Sequence, residues 1–355
     1  MKLRPSPTLA LARKVERARA EGGDAWSLST PSFPVPESLP DVDMRWLKLS
    51  APEGLPDLRA RTQEVFFGRW DAPDHSCVIT AGAKAGIFAV LQAALKPGAR
   101  VLLPGPAWPS YEDLCRSAGF VPISLPRVPN TFALDRAELV SQAKSAGAIM
   151  LANPCNPTGR ILPADELSAL ATLCKQNDML LILDQSFSTV IFDQAAWRAS
   201  VAPVFDRLVL IDSFSKNNLM QGARVAAALV PQTMKDDVIA AHQTIVSAAP
   251  TPGQYLALHA LEHGHKMPDL SAQRARAEAF IAAQGWSCYP QQGSFYFFPK
   301  LPEREAFQER AERQGVFILA GSAFGAAYGD HFRLCFGKPL DELEAIFDRL
   351  SAGVA

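Results

Sequence analysis

No apolar run in this sequence reaches the length of a bilayer span. The basic start, Met1-Lys-Leu-Arg4, lacks the apolar core of a signal peptide behind it. No C-x-x-C pair occurs among the six cysteines, at 77, 115, 155, 174, 288 and 335. In a chain of 355 residues, thiols so scattered predict a reduced, cytoplasmic protein without a disulfide framework. No block of like charge stands out either: 35 Lys and Arg balance 36 Asp and Glu, for a net charge of −1. That argues against nucleic acid or an anionic membrane as the main partner. The six histidines are dispersed. His263 and His265 lie in Glu-His-Gly-His-Lys, which reads as an exposed helix end and not as a metal site. Internal repeats and low-complexity tracts are absent too.

What the chain has is apolar residue: 48% hydrophobic against 20% charged, enough for one large domain and a smaller one. Residues 8–21 form an amphipathic pattern closed by Gly22-Gly23. The proline-rich stretch from Trp26 to Pro36 excludes a helix and reads as an extended connector. A helix over 54–68 has a proline near its first turn. From about 77 to 230, short apolar runs alternate with helical patterns. Strands are expected at 77–80, 100–103, 121–125, 148–152, 179–184 and 207–212, with helices at 82–95, 108–117, 136–145 and 163–176. This predicts an α/β fold whose main sheet is mainly parallel and covered by helices on both faces. After about 232 the texture changes. One long helical region to about 284, an aromatic strand 293–298, a helix 303–314, a strand 332–336 and a last helix 339–350 predict a smaller α+β domain. The expected division is 1–35 packing on that domain, 36–245 as the large domain and 246–355 as the small one.

Five places at strand ends carry chemistry. In Asp212-Ser-Phe-Ser-Lys216, a lysine at the mouth of a buried strand is poorly solvated, which favours the neutral amine that attacks carbonyls. Ser213, Ser215 and Arg224 beside it form a phosphate cradle. In Thr80-Ala-Gly82-Ala83-Lys84, a glycine turn between strand and helix presents free N–H groups to an anion, although many such turns use glycine for steric reasons alone. Trp108 sits on the edge where open α/β sheets keep their ligands, and reads equally well as a stacking face or as core. Asn153-Pro-Cys-Asn156-Pro-Thr-Gly159 is more specific than a plain turn and holds the Asn156 amide. Asp184, ending an apolar strand, needs a cation or a strong donor against it.

With these residues together the chain resembles, over nearly its whole length, the class I/II aminotransferases of the fold type I group that use pyridoxal 5′-phosphate. Such a cofactor needs an amine, an anion at its ring nitrogen, a donor to its ring oxygen, a stacking ring and a phosphate cup. The resemblance implies that Lys216 forms the internal aldimine and shuttles a proton, and that Asp184 keeps the ring nitrogen protonated. It implies Asn156 as donor to the ring oxygen and Trp108 as the stacking face. Gly82, Ala83, Lys84, Ser213, Ser215 and Arg224 would hold the phosphate. Arg333, in Phe332-Arg-Leu-Cys335, would grip the substrate carboxylate as a bidentate fork beside Ser29 and Asn156.

The sequence departs from the family pattern at four places. Phe187 stands where a tyrosine is common, and Leu47-Lys-Leu49 where a tyrosine crosses from the partner subunit. Ser29 replaces a connector glycine, and Ala320-Gly321 a Pro-Gly. The function implied is amino transfer from an amino acid to a 2-oxo acid, in a homodimer without a metal. The same cofactor and cradle also serve β-elimination and decarboxylation, so a lyase is the alternative reading. A non-catalytic cofactor-sensing module is a third; only about 28 residues precede the connector, too few for an ordinary DNA-binding domain.

Overall fold

The protein is described by a computed structural model that covers residues 6–33 and 43–352. The last residues of the expected connector, Pro34 to Pro36, and the 35/36 boundary lie outside the described residues. Helix α1 (Pro7–Ala20) starts on a proline, buries Leu11 and Val15, and ends before Gly22 at φ 84°. The pair Trp26–Ser27 (β1) follows, then α2 (Pro56–Phe67).

The alternating region runs β2 (His75–Thr80), α3 (Ala83–Ala94), β3 (Arg100–Pro104), α4 (Ser110–Ser117), β4 (Val121–Leu125), α5 (Arg136–Ala143), β5 (Ala148–Ala152), α6 (Ala164–Gln176) and β6 (Leu180–Asp184). It continues through α7 (Gln194–Ala199), β7 (Leu208–Ser213), the single turn α8 (Phe214–Asn217) and β8 (Ala226–Pro231). Seven of these strands form one sheet in the order β2-β8-β7-β6-β5-β3-β4. All pairings are parallel except those of β8, which runs against both β2 and β7. The central strands are buried end to end because both faces are covered. Leu181, Leu183, Leu208 and Leu210 pack in one apolar cluster. Leu180, Ile182, Val209 and Ile211 pack in another on the opposite face.

Strand β8 is the element that the periodicity does not reveal. Its Ala226-Ala-Ala-Leu-Val-Pro231 has weak strand propensity, yet Ala227 and Ala228 pack into the two opposite clusters. The long helical region expected to 284 is three helices, α9 (Lys235–Val246), α10 (Thr251–Glu262) and α11 (Ser271–Ala283). It is broken at Ser247 (φ 59°) with Pro250 close behind, and at Gly264 (φ 68°) with Pro268 beyond.

The remaining elements are β9 (Tyr296–Phe297), α12 (Arg304–Arg313), β10 (Val316–Phe317), β11 (Leu319–Ala320), β12 (Phe332–Cys335) and α13 (Leu340–Ala352). Strands β11, β12 and β9 form an antiparallel sheet over a phenylalanine-rich cluster. The N-terminal segment joins this part: Trp26 pairs with Val316 and Ser27 with Phe317. Core membership switches between Leu261, which packs with the large sheet, and Met267, which packs with the phenylalanines. The packing therefore changes later than residue 246, because α10 lies against α2.

Candidate active site

Strands β2, β3, β5, β6 and β7 run in one direction, so the loops after them share one edge of the sheet. Every strand-end residue singled out in the sequence follows one of these strands, on the edge where open α/β sheets bind ligands. Asp184 and Ile211 are register partners on β6 and β7, and the Lys216 turn begins three residues after Ile211.

Asp184 is buried, and burial pushes its carboxyl above the usual carboxylate range. Three donors oppose that shift. The Tyr111 hydroxyl donates to Oδ2 at 2.7 Å, and Ser186 donates to Oδ1 through its N–H at 3.0 Å and its hydroxyl at 2.6 Å. The result is a buried carboxyl group whose two oxygens are both held in place by donors.

Lys216 is half-buried, and its Nζ donates to Gln221 Oε1 at 3.0 Å. Burial lowers its amine to about 8, and the guanidinium groups of Arg333 and Arg224 lower it further while Cys335 opposes them. The neutral amine is thus reachable near physiological pH. The expectation of a poorly solvated lysine agrees with this environment.

The residues expected to cradle a phosphate start on the turn before α3. Gly82 has φ 87°, and a methyl group there would run into the Arg224 guanidinium. Arg224 adopts a left-handed backbone (φ 55°), and its Nη1 donates to Gln221 O at 2.9 Å. Lys84 extends its Nζ to 5.0 Å from the Trp108 ring centre. Burial and then Arg224 lower the Lys84 ammonium. Ser213 Oγ accepts from Ser215 N at 3.2 Å, which caps α8. Arg224 thus acts as a positive charge on both Lys84 and Lys216 and closes on Gly82, a gathering of cations suited to an anion. These residues fit a phosphate group.

Arg333 is 2% exposed on β12. Its Nη2 donates to Ser29 O at 2.6 Å and its Nη1 to Asn156 Oδ1 at 3.2 Å, while its plane lies 4.2 Å from the Tyr296 ring centre. Its Nε has no partner among the described residues. The Arg333 bond turns the Asn156 oxygen toward the guanidinium, which leaves the Asn156 NH₂ for another acceptor. Ser29 meets the Arg333 strand through its side chain as well. Its hydroxyl is fully buried, donates to Arg333 O at 2.5 Å and accepts from Leu319 N at 2.8 Å, so it anchors the arginine strand.

The family profile described as "Aminotransferase class I and II" matches residues 41–350. The chain belongs to that family. Among relatives, an aspartate aminotransferase of Geobacillus stearothermophilus is 27% identical over 386 aligned positions, covering 98% of this chain and 96% of its own length. An aspartate/prephenate aminotransferase of Thermus thermophilus is 27% identical over 374 positions, covering 98% and 96%. The fold is that of the aspartate aminotransferase of Thermotoga maritima, with a TM-score of 0.85 at 24% identity, covering 99% of this chain and 97% of that one.

For an aminotransferase of this class, the departures have concrete surroundings. Phe187 is buried, with its ring centre 5.1 Å from that of Phe295 and 5.8 Å from that of Tyr296, so apolar packing fills the place of the missing hydroxyl. Leu49 is 74% exposed. No group of His, Cys, Asp or Glu among the described residues is arranged to hold a metal ion. His263 is exposed and stacks on His259 with centroids 3.9 Å apart.

Three residues of the site escaped the sequence reading. Tyr111 lies three positions after Trp108, the spacing that puts two side chains on one side of a helical turn. Ser186 is two residues past Asp184, the spacing of an Asx turn. Gln221 carries no such signal.

Proposed function

We propose that this aminotransferase moves an amino group from an amino acid to a 2-oxo acid, with pyridoxal 5′-phosphate held by the residues above. The observation that carries the reading is the pairing of an amine held near neutrality, Lys216, with a buried oriented carboxylate, Asp184, at the ends of two hydrogen-bonded strands. When bound, the cofactor supplies an aldehyde and a protonated aromatic ring that withdraws electrons. Lys216 Nζ would hold the cofactor at rest and would carry a proton to and from the substrate. Asp184 would keep a proton on the cofactor's ring nitrogen. Trp108 offers a stacking face, and the Asn156 NH₂ a donor to the ring oxygen. Gly82, Ala83, Lys84, Ser213, Ser215 and Arg224 receive the phosphate. Arg333 takes the substrate carboxylate, with Ser29 and Asn156 holding its fork in place.

We infer a homodimer from apolar surface. Met44, Leu47 and Leu49 are 73%, 72% and 74% exposed. Trp46 stacks on Tyr255, whose helix α10 follows the exposed Ile245 and Val246 by a few residues. A division into two domains, with the N-terminal segment on the smaller, is supported by the change of core from the clusters of the large sheet to the phenylalanine-rich one. A cytoplasmic site is consistent with six free cysteines, five of them buried.

A panel of amino donors, with aspartate first because of the relatives, assayed against 2-oxoglutarate and pyruvate tests the activity. Formation of both new products supports amino transfer. Ammonia released without any oxo acid present would instead favour a lyase.

A further inference from the structure

Asn217 follows Lys216 directly, is fully buried, and uses every hydrogen-bonding position of its amide. Its Nδ2 donates to Asp212 Oδ1 at 2.7 Å and to Ser188 Oγ at 3.0 Å. Its Oδ1 accepts from Thr189 N at 3.2 Å and from Thr189 Oγ1 at 3.0 Å. Its backbone oxygen accepts from Met267 N at 2.9 Å. Asp212, also fully buried, takes Ser213 N on the same Oδ1 at 2.7 Å. Ser188 and Thr189 belong to the loop that leaves the sheet at Asp184, whereas Asp212 and Ser213 end the strand that leads to Lys216. The register between β6 and β7 stops at Asp184 and Ile211. Beyond that point the Asn217 amide fastens the two strand ends to each other.

We propose that Asn217, gripped by Asp212, is a positioning residue for amino transfer: it sets where the Lys216 amine stands relative to the Asp184 carboxylate. The proposal rests on the reading of Lys216 as the reacting amine. A reaction that uses both sides of one flat ring tolerates little drift between these groups, since a misplacement of about 1 Å costs on the order of a hundredfold in rate. Substrate binding is a separate matter, because Arg333 is held by Ser29 and Asn156 and not by Asn217.

The test uses the holoenzyme and three variants: Asn217→Ala, Asn217→Asp, and the reversed pair Asp212→Asn with Asn217→Asp. In the reversed pair the amide sits at 212 and the acceptor at 217, so the 212–217 bond can re-form with opposite polarity, while Ser213 N gives up the acceptor it has on Asp212. For Asn217→Ala we expect kcat to fall about ten- to a hundredfold, with the KM of the amino donor within about threefold of wild type. The pH midpoint of the bound cofactor's visible absorbance should rise by about one unit, because a loosened turn admits water to Lys216 and favours its cation over the form held among Arg333, Arg224 and Cys335. Asn217→Asp alone should fail in the same way, and the reversed pair should recover part of both readouts. Wild-type kcat and midpoint in folded Asn217→Ala would overturn the proposal. So would a reversed pair that melts like wild type yet recovers neither readout. If Asn217→Ala does not fold, the reversed pair decides alone. A failure of the underlying reading shows separately, as wild-type enzyme in which borohydride fixes no cofactor to Lys216.

Discussion

The Tyr111 hydroxyl donates to Asp184 Oδ2 at 2.7 Å, and both groups are buried. The phenol itself is pushed well above its ordinary range, by burial first and then by the Asp184 charge, so it remains a donor at every working pH. It shares with Ser186 the task of keeping a buried acid ionised.

Tyr111→Phe removes one of the contacts that pull the Asp184 carboxyl down against burial. Its pKa then rises, and the ionised form is lost at a higher pH than in wild type. A hydrogen bond to a charged group is worth about 1.5–3 kcal/mol, on the order of one to two pKa units. We expect the acid limb of the kcat–pH profile to move up by about one unit. An unmoved limb would remove Tyr111 from this role.

Lys216→Ala should still bind the cofactor through the phosphate cradle, less tightly. Borohydride should no longer attach cofactor to the chain, read by intact mass. Turnover should drop by at least about a thousandfold, the scale set by loss of a proton-transferring and bond-forming group.

The Lys216 amine is lowered to about 8. In cofactor-free protein, acylation of this lysine should therefore rise through a midpoint near pH 8, whereas ordinary lysines titrate near about 10.4. Site-resolved mass spectrometry after brief labelling across pH measures both. A midpoint shared with surface lysines would contradict the desolvated environment.

Arg333→Ala should act on substrate binding. Loss of two charge-assisted bonds, each about 1.5–3 kcal/mol, predicts a KM for amino donors raised on the order of a hundredfold or more. The same change leaves Ser29 O and the Asn156 oxygen without their donor, so a lower melting temperature should accompany it. An unchanged KM would take Arg333 out of the pocket.

Gly82→Ala tests the cradle. The position has φ 87°, and the added methyl meets Arg224. Backbone strain of about 1–3 kcal/mol, together with displacement of the guanidinium, should weaken cofactor binding at least about tenfold; fluorescence titration of the cofactor-free protein measures it.

By itself the sequence determined the alternating α/β order, the burial of the central strands and the strand ends at which Gly82, Trp108, Asn156, Asp184 and Lys216 stand. Those features are local: apolar runs, glycine turns and proline pairs act over a few residues, and a parallel sheet gathers strand ends on one edge. Only tertiary structure decided the donors to Asp184, the two acceptors of Arg333, the clamp between Asn217 and Asp212, and the strand status of the alanine-rich 226–231. Most depend on groups far apart in the chain, Tyr111 and Asp184 being 73 residues distant and Ser29 and Arg333 304. Burial then sets their strength, and burial is a property of the packed whole.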